Sequence, residues 1–334
     1  MKTITFFNNK GGVGKTSLVY HLAWMLSELD YRVVAADLDP QANLSRMLLD
    51  ENRLEAVWEG NNGRTIARDS SPLFEGVGDI NDDPHVEKID ERIGLLVGDL
   101  ALSAWEEDLS SEWPKCLDRQ KRAFRVMTAF SRLIRNTHKF GADLALIDVG
   151  PNLGAINRAA LIASDHVVIP LAPDLFSLQG LSNVGPTLKA WREGWNERKR
   201  KKPDDLDIPL PSGAMEPAGY IVMGRAVRYD RPVRAYLRWI GKIPSTYRRS
   251  IFENNETPGN SDVLNDHYCL AHLKDYHALM PLAQEARKPM FMLKPADGAI
   301  GAYQSAVTEC YRDFQKLARR IIDKCGIEST GESV

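Results

Sequence analysis

Along the chain, short apolar runs alternate with longer stretches in which apolar residues recur every three or four positions. Thr3–Phe7 is a β-rich run that leads into a glycine-rich turn. Leu18, Leu22, Met25, Leu26 and Leu29 then share one face of a helix expected over Thr16–Leu29. Arg32–Ala36 reads as a buried strand ending at Asp37. Ile93–Val97, Leu144–Ile147, Val167–Leu171 and Gly219–Met223 read as further core strands. Helical spacing predicts Arg122–Asn136, Leu153–Ala163 and Leu178–Glu197 between them. Strands alternating with helices in this way predict an α/β fold: a doubly wound, mostly parallel sheet with helices on both faces. Two stretches break the pattern. Asn61–Asp90 is rich in Gly, Asn, Asp and Ser, and is expected to loop at the surface. Arg198–Pro217 holds the run RKRKK followed by PDD and PLP, and reads as an exposed connection. The expectation is one domain over residues 1–325, with insertions near 50–92 and 198–217 and a polar tail over 326–334.

Composition refines this picture. With 334 residues, 43% hydrophobic and 26% charged, the chain has ample apolar material for a core. The net charge of −2 argues against wholesale coating of nucleic acid, though local patches can still act. No apolar run reaches the roughly 18 residues a membrane helix needs. The opening residues run straight into a motif, so no leader is expected. Cys116, Cys269, Cys310 and Cys325 form no CxxC pair and read as reduced thiols of a cytoplasmic protein. His267, His272 and His277 near Cys269 read as a polar loop in preference to a metal site.

The chemistry is concentrated near the start. Asn9, Lys10, Gly11, Gly12, Val13, Gly14, Lys15 and Thr16 follow an expected strand and open an expected helix, the context a phosphate loop requires. Glycines let the backbone turn its N–H groups inward as an anion cradle, and the helix N-terminus adds its positive end. Lys15 is placed to reach the β- and γ-phosphates, and the Thr16 hydroxyl to bind Mg²⁺. Lys10 through Ser17 are therefore expected to hold the phosphates of ATP. Further along, alternation puts Asp37 and Asp39 on the same side of a strand end, where ligands bind in such sheets. Leu144–Ile147 ends in a third carboxylate, Asp148.

The common pattern GxxxxGK[ST] fails here, because Asn9 stands at its first glycine. The run KGGVGKT from Lys10, the segment Asp37-Leu38-Asp39-Pro40-Gln41 and the apolar strand ending at Asp148 together resemble the ParA/MinD family of ATPases with a deviant Walker A motif. The resemblance covers most of residues 1–324. It implies that Lys10 reaches the nucleotide of a partner subunit, so that ATP joins two copies and hydrolysis releases them. It assigns Asp39 to the attacking water, Asp37 to the Mg²⁺ shell and Asp148 to Mg²⁺ itself. Lys10, Lys15 and Asp39 are the catalytic candidates; Thr16, Asp37 and Asp148 are the metal candidates. Ala286–Tyr303 resembles the family's late segment, whose loop closes over adenine, and Met223 and Pro295 are the base candidates. Two departures stand out: Ala42 replaces the family's usual Gly, and Gly150 replaces a Pro after Asp148.

Within this family the cargo must come from elsewhere. Residues 148–163 hold no cysteine, which excludes the iron–sulfur branch. Val307, Cys310, Phe314, Leu317 and Ile321 form an apolar stripe, but the sequence after it, GIESTGESV, carries no cation, so the stripe is expected to pack on the sheet and not on a membrane. No N-terminal DNA-reading domain is expected. A ParA-like ATPase remains: a homodimer on ATP that binds DNA nonspecifically and answers to a protein activator or cargo adaptor. The alternatives are a nucleotide-gated switch acting through a partner without a partition role, and a non-catalytic scaffold, against which the intact Lys10, Lys15 and Asp39 speak. For DNA, the stretch from Arg225 to Arg249 holds eight cations against Asp230. A helix opening near Asp230 and Pro232 would bury Val233, Tyr236, Leu237 and Ile240 and present Arg234, Arg238 and Lys242. Arg198–Lys202 is a second, flexible candidate.

Overall fold

The structure is a computed structural model that describes residues 1–59, 63–224, 238–253, 263–276 and 278–328. Among the described residues its frame is one eight-stranded sheet. In chain order the strands are β1 (Lys2–Phe6), β2 (Val33–Asp37), β3 (Glu87–Lys88), β4 (Ile93–Leu96), β5 (Leu144–Asp148), β6 (His166–Leu171), β7 (Glu216–Met223) and β8 (Cys269–Leu273). Their spatial order is β3-β4-β2-β5-β1-β6-β7-β8, with only the two-residue β3 antiparallel. The central strands are buried on both faces. Val34, Ala36, Ala145, Ile147, Val167 and Ile169 feed one apolar core; Ile4, Phe6, Val33, Ala35, Leu144, Leu146 and Val168 feed the other. This two-sided burial explains why the strands read as continuous apolar runs.

Helix α1 (Lys15–Glu28) covers the second face with Leu18, Leu22, Met25 and Leu26. Next come α2 (Asn43–Leu48), α3 (Glu51–Glu59), α4 (Ile66–Phe74), α5 (Trp105–Lys115), α6 (Lys121–Met127), α7 (Ala129–Arg135), α8 (Ala155–Ile162) and α9 (Leu175–Lys199). The chain closes with α10 (Ile243–Phe252), α11 (Met280–Ala286) and α12 (Ala302–Cys325). Of the stripe expected to pack on the sheet, Cys310, Phe314, Leu317 and Ile321 of α12 are buried in the core shared by α1 and the strands, and Val307 is partly buried against it. Among the described residues, no helix is long and apolar enough to cross a membrane.

Four local expectations are corrected. The segment expected to loop over 61–90 contains α4, whose Ile66, Ala67, Leu73 and Phe74 are buried; Thr65 caps it by accepting from Arg68 N. The helix expected over Arg122–Asn136 is two, because Thr128 leaves helical geometry at φ −104°, ψ 4°. The polar loop expected around Cys269 and His272 is instead strand β8; His277 lies outside the described residues. The connection over 198–217 is packed, not free: Leu206 and Met215 are buried, and Arg198 is only 6% exposed, its guanidinium 3.7 Å from the centre of the Trp113 ring. Stacking on an aromatic face lets the arginine bury a charge that composition assigns to solvent.

Candidate functional site

The site stands at the C-terminal ends of the central strands, and strand register explains why. Phe6 on β1 and Asp37 on β2 both pair with Asp148 on β5. The phosphate loop after β1 and two carboxylates therefore leave the sheet at one level. In the loop, Asn8 Nδ2 donates to Pro170 O at 2.7 Å, and Asn8 Oδ1 accepts from Lys10 N at 3.0 Å. Gly14, at φ 81°, turns the chain into α1. That φ excludes most side chains, and a Cβ there would also meet Met223 Cε at 3.1 Å. No side chain caps α1 and no acid lies in its first turn, so its leading N–H groups face the loop open to an anion.

Lys15 is 7% exposed, and its ammonium donates to the carbonyls of Asn8 at 3.1 Å and Lys10 at 3.3 Å. Burial pulls its pKa down, while Asp148 and Asp39 oppose the shift. Lys10 sits apart. Its ammonium pairs with Asp174 and lies 3.4 Å from Ser177 Oγ.

The three carboxylates differ sharply. Asp39 borders the open cavity, and its Oδ1 accepts from Gln41 N at 3.0 Å. Asp37 and Asp148 are fully buried. Asp37 Oδ2 accepts from both the amide and the hydroxyl of Ser45, each at 2.8 Å, but Oδ1 has no partner. Neither oxygen of Asp148 has one. Burial pushes both carboxyls up; on Asp37 the Ser45 bonds work against it and Asp39 adds to it, while on Asp148 the anions Asp37 and Asp39 add to it and the Thr16 hydroxyl and Lys15 work the other way. Buried carboxylate oxygens without donors are costly as they stand. They suit a hard divalent cation that keeps several waters and binds phosphate oxygens, so Thr16, Asp37 and Asp148 fit Mg²⁺. Ala42, where the family usually has Gly, adopts φ 48°, in the left-handed region that favours glycine.

Residues Gly11 to Ser17, Asp39 and Pro151 line one end of a cavity of about 890 Å³, a volume suited to a nucleotide. Its other end is walled by Tyr20, His21, Met280, Ala283, Gln284, Arg287 and Lys288. Met223 lies beneath the phosphate loop beside Gly14, Pro295 is exposed on a short 3₁₀ turn, and neither lines this cavity. The far wall belongs to α11 and the two cations after it, a seven-residue helix with too little periodicity to read from sequence. His21 connects the two ends. Its Nδ1 lies 2.7 Å from Ser17 O, and its Nε2 accepts from Met290 N at 3.2 Å, which places the ring proton on Nδ1.

Of the DNA candidates, Arg234 lies outside the described residues, as do Val233, Tyr236 and Leu237. Arg238 and Lys242 are exposed and lie 5.1 and 5.0 Å from the centre of the Trp239 ring. They do not share one continuous helix. Residues 238–240 are helical, the chain turns at Gly241 and Lys242, and α10 starts afresh with Pro244 in its first turn. Arg248, counted in the same basic stretch, is neutralised by the buried Asp266.

A parallel sheet with a lysine-bearing glycine loop at the end of its central strand, and carboxylates on the neighbouring strand ends, defines a P-loop nucleotide-binding protein. A family model described as an AAA domain matches residues 1–200. The chain belongs to that family, within the ParA/MinD group of P-loop ATPases. Over 193 residues it is 31% identical to protein IncC of Escherichia coli, covering 58% of this chain and 47% of that one. It is 28% identical to the chromosome partitioning protein ParA of Myxococcus xanthus, covering 58% and 60%. The matched stretch thus spans less than two thirds of either relative. A crystal structure of a Corynebacterium diphtheriae protein shares the fold with TM-score 0.71 at 24% identity, covering 97% of this chain and 99% of that one. So does the ATP complex of McdA from Cyanothece, with TM-score 0.62 at 15% identity and 99% of both chains covered.

Proposed function

We propose that this protein is a Mg²⁺-dependent ATPase that dimerises on ATP, binds DNA without sequence preference and leaves it on hydrolysis. Its role would be to partition a plasmid or chromosome, or to position another cargo, in the cytoplasm and on the nucleoid, under a protein activator or adaptor. The observation that carries the reading is the convergence of Lys15, the uncapped α1 N-terminus and Asp39 on one cavity, with Asp37 and Asp148 buried behind it. Lys15 and the α1 amides hold the β- and γ-phosphates. Asp39 sits at the open edge, where it can orient a water for in-line attack on the γ-phosphate. Mg²⁺, when held near Thr16, Asp37 and Asp148, would neutralise charge on the phosphate oxygens. Lys10 supplies a further cation, reaching across to the partner's nucleotide as the family resemblance implies. The partition relatives support the cellular role.

The experiment is ATP binding and turnover with the purified chain, alone and as Lys15→Ala. Wild type should bind and hydrolyse ATP. Lys15→Ala should lose about 100-fold in affinity, the worth of a charge-assisted phosphate contact. Equal ATP affinity in the two proteins would overturn the assignment of the loop.

A further inference from the structure

Strand β5 is followed by a loop in which Gly150 stands where the resemblance leads one to expect a proline, so no ring fixes the backbone at that position. Hydrogen bonds do so instead. Asn157, 1% exposed, donates from Nδ2 to Gly150 O and to Asn152 O, both at 2.8 Å. One turn further on, Glu106 reaches in from the first turn of α5. Its two oxygens accept from Ala155 N at 2.5 Å and Ile156 N at 3.0 Å. Helix α8 has no cap from its own N-cap residue, Gly154, so this distant carboxylate takes that place. A Cβ at the N-cap position would fall 2.6 Å from Glu106 Oε1, so a larger residue there would have to displace that carboxylate.

The loop's other side faces the reaction centre. A Cβ on Gly150 would come within 3.3 Å of Asp39 Oδ1, and the Pro151 ring lies 3.8 Å from the Cβ position of Gly11. The segment from Gly150 to Pro151 thus lies between the water-orienting carboxylate and the phosphate loop, and the chain that follows it is tied to α5 at Ala155 and Ile156 by Glu106. We propose that Glu106 is a positioning residue for ATP hydrolysis: by fixing the start of α8 it holds Gly150 and Pro151 against Asp39. The proposal rests on the reading of the Asp39 site as hydrolytic. Glu106 touches neither nucleotide cavity nor phosphate loop, so it acts on the orientation of Asp39 and not on ATP affinity. An error of an ångström at a reacting group is enough to slow the chemical step about 100-fold.

The test uses the full chain as wild type, Glu106→Ala and the isosteric Glu106→Gln, which keeps one acceptor oxygen. Three quantities are measured: kcat and KM for ATP, the Kd of a fluorescent ATP analogue, and hydrogen exchange in the peptide spanning 150–162. Glu106→Ala should lower kcat about 10- to 100-fold with KM and Kd within about twofold of wild type, and exchange in the peptide should quicken. Glu106→Gln should recover part of both kcat and protection. A variant with faster exchange and unchanged kcat would reduce Glu106 to a helix cap and overturn the proposal. So would a loss of kcat matched by an equal loss of ATP affinity. If Glu106→Ala does not fold, the same criteria apply to Glu106→Gln. A wild-type protein that binds ATP without turning it over would instead overturn the hydrolytic reading itself, a separate result.

Discussion

The ammonium of Lys10 is held by the carboxylate of Asp174, the residue that caps α9, and does not line the nucleotide cavity. Asp174 Oδ1 accepts from Ser177 N at 2.8 Å while Oδ2 engages Lys10. Burial alone would raise the Asp174 carboxyl; Lys10 and the Ser177 amide hold it below the usual carboxylate range. If Lys10 serves a nucleotide in a second subunit, this ion pair must open first. Asp174→Asn removes the charge and keeps the cap, since Asn caps helices as well as Asp. It should therefore let ATP-dependent dimers form at lower protein concentration, by up to about fivefold for each pair opened, for a partly exposed pair worth up to ~1 kcal/mol. Lys10→Ala should keep ATP binding and lose the dimer. Sedimentation across a protein dilution series with ATP checks both; a dimer in Lys10→Ala as tight as wild type would remove Lys10 from the interface.

Asp39 is the most solvent-accessible of the three clustered carboxylates, and Gln41 N fixes one of its oxygens. Its loss should leave phosphate binding to Lys15 and the α1 amides, while the attacking water loses its orientation. Asp39→Ala is thus expected to bind ATP like wild type, to lower kcat by about 100-fold or more, and to accumulate as an ATP-bound dimer. Size-exclusion chromatography with ATP and Mg²⁺ reads the dimer. A variant that binds ATP normally yet stays monomeric would contradict the trapping.

Much of this architecture is legible in the sequence, for a physical reason. Strands buried on both faces are largely apolar, so six of them, from Thr3–Phe7 to Gly219–Met223, identify themselves. The phosphate loop does so too, because glycines at positive φ and a lysine at a helix start leave few substitutes. Relations between distant segments are not legible. That Asp37 pairs with Asp148 is a matter of register between β2 and β5. The far cavity wall is a short helix followed by Arg287 and Lys288, with no pattern to announce it. Arg198 and Arg248 misled for one reason: a charge run shows its cations but not the Trp113 ring or the buried Asp266 that takes them up. Glu106 lies 49 residues from the amide it caps, beyond the reach of any capping-box motif.

His21 makes stability depend on pH in a defined direction. Burial pulls its pKa to about 4, with the Ser17 carbonyl acting weakly against it. The ring is therefore neutral in the folded protein, while an unfolded histidine titrates near 6.5. Between these values the unfolded chain binds the extra proton, so this residue's contribution is complete above about pH 6.5 and is lost as pH falls toward 4. At pH 5 the loss should be about 2 kcal/mol relative to pH 7. Urea unfolding at the two pH values, for wild type and His21→Gln, isolates it: the difference in stability between the two proteins should shrink by about that amount at pH 5. A difference independent of pH would mean that His21 is not held neutral.

The DNA face is the least local of the proposals, and its two described cations allow a direct trial. Arg238 and Lys242 sit on either side of the exposed turn at Gly241, both over the Trp239 ring. An indole so placed orients two long cationic side chains without neutralising them, leaving their charge for phosphates. Such contacts carry no sequence information and release counterions, so affinity should fall steeply with salt. In an ATP dimer the patch would occur twice, which couples DNA retention to the nucleotide state. Arg238→Glu with Lys242→Glu should therefore abolish ATP-dependent DNA retention at about 0.15 M salt and flatten the salt dependence by about two units of log–log slope per subunit. Basal ATPase without DNA should persist, because neither residue lines the nucleotide cavity. Filter binding at several salt concentrations, on two unrelated DNA sequences, gives the answer. Retention equal to wild type at every concentration would show that this turn is not where DNA binds.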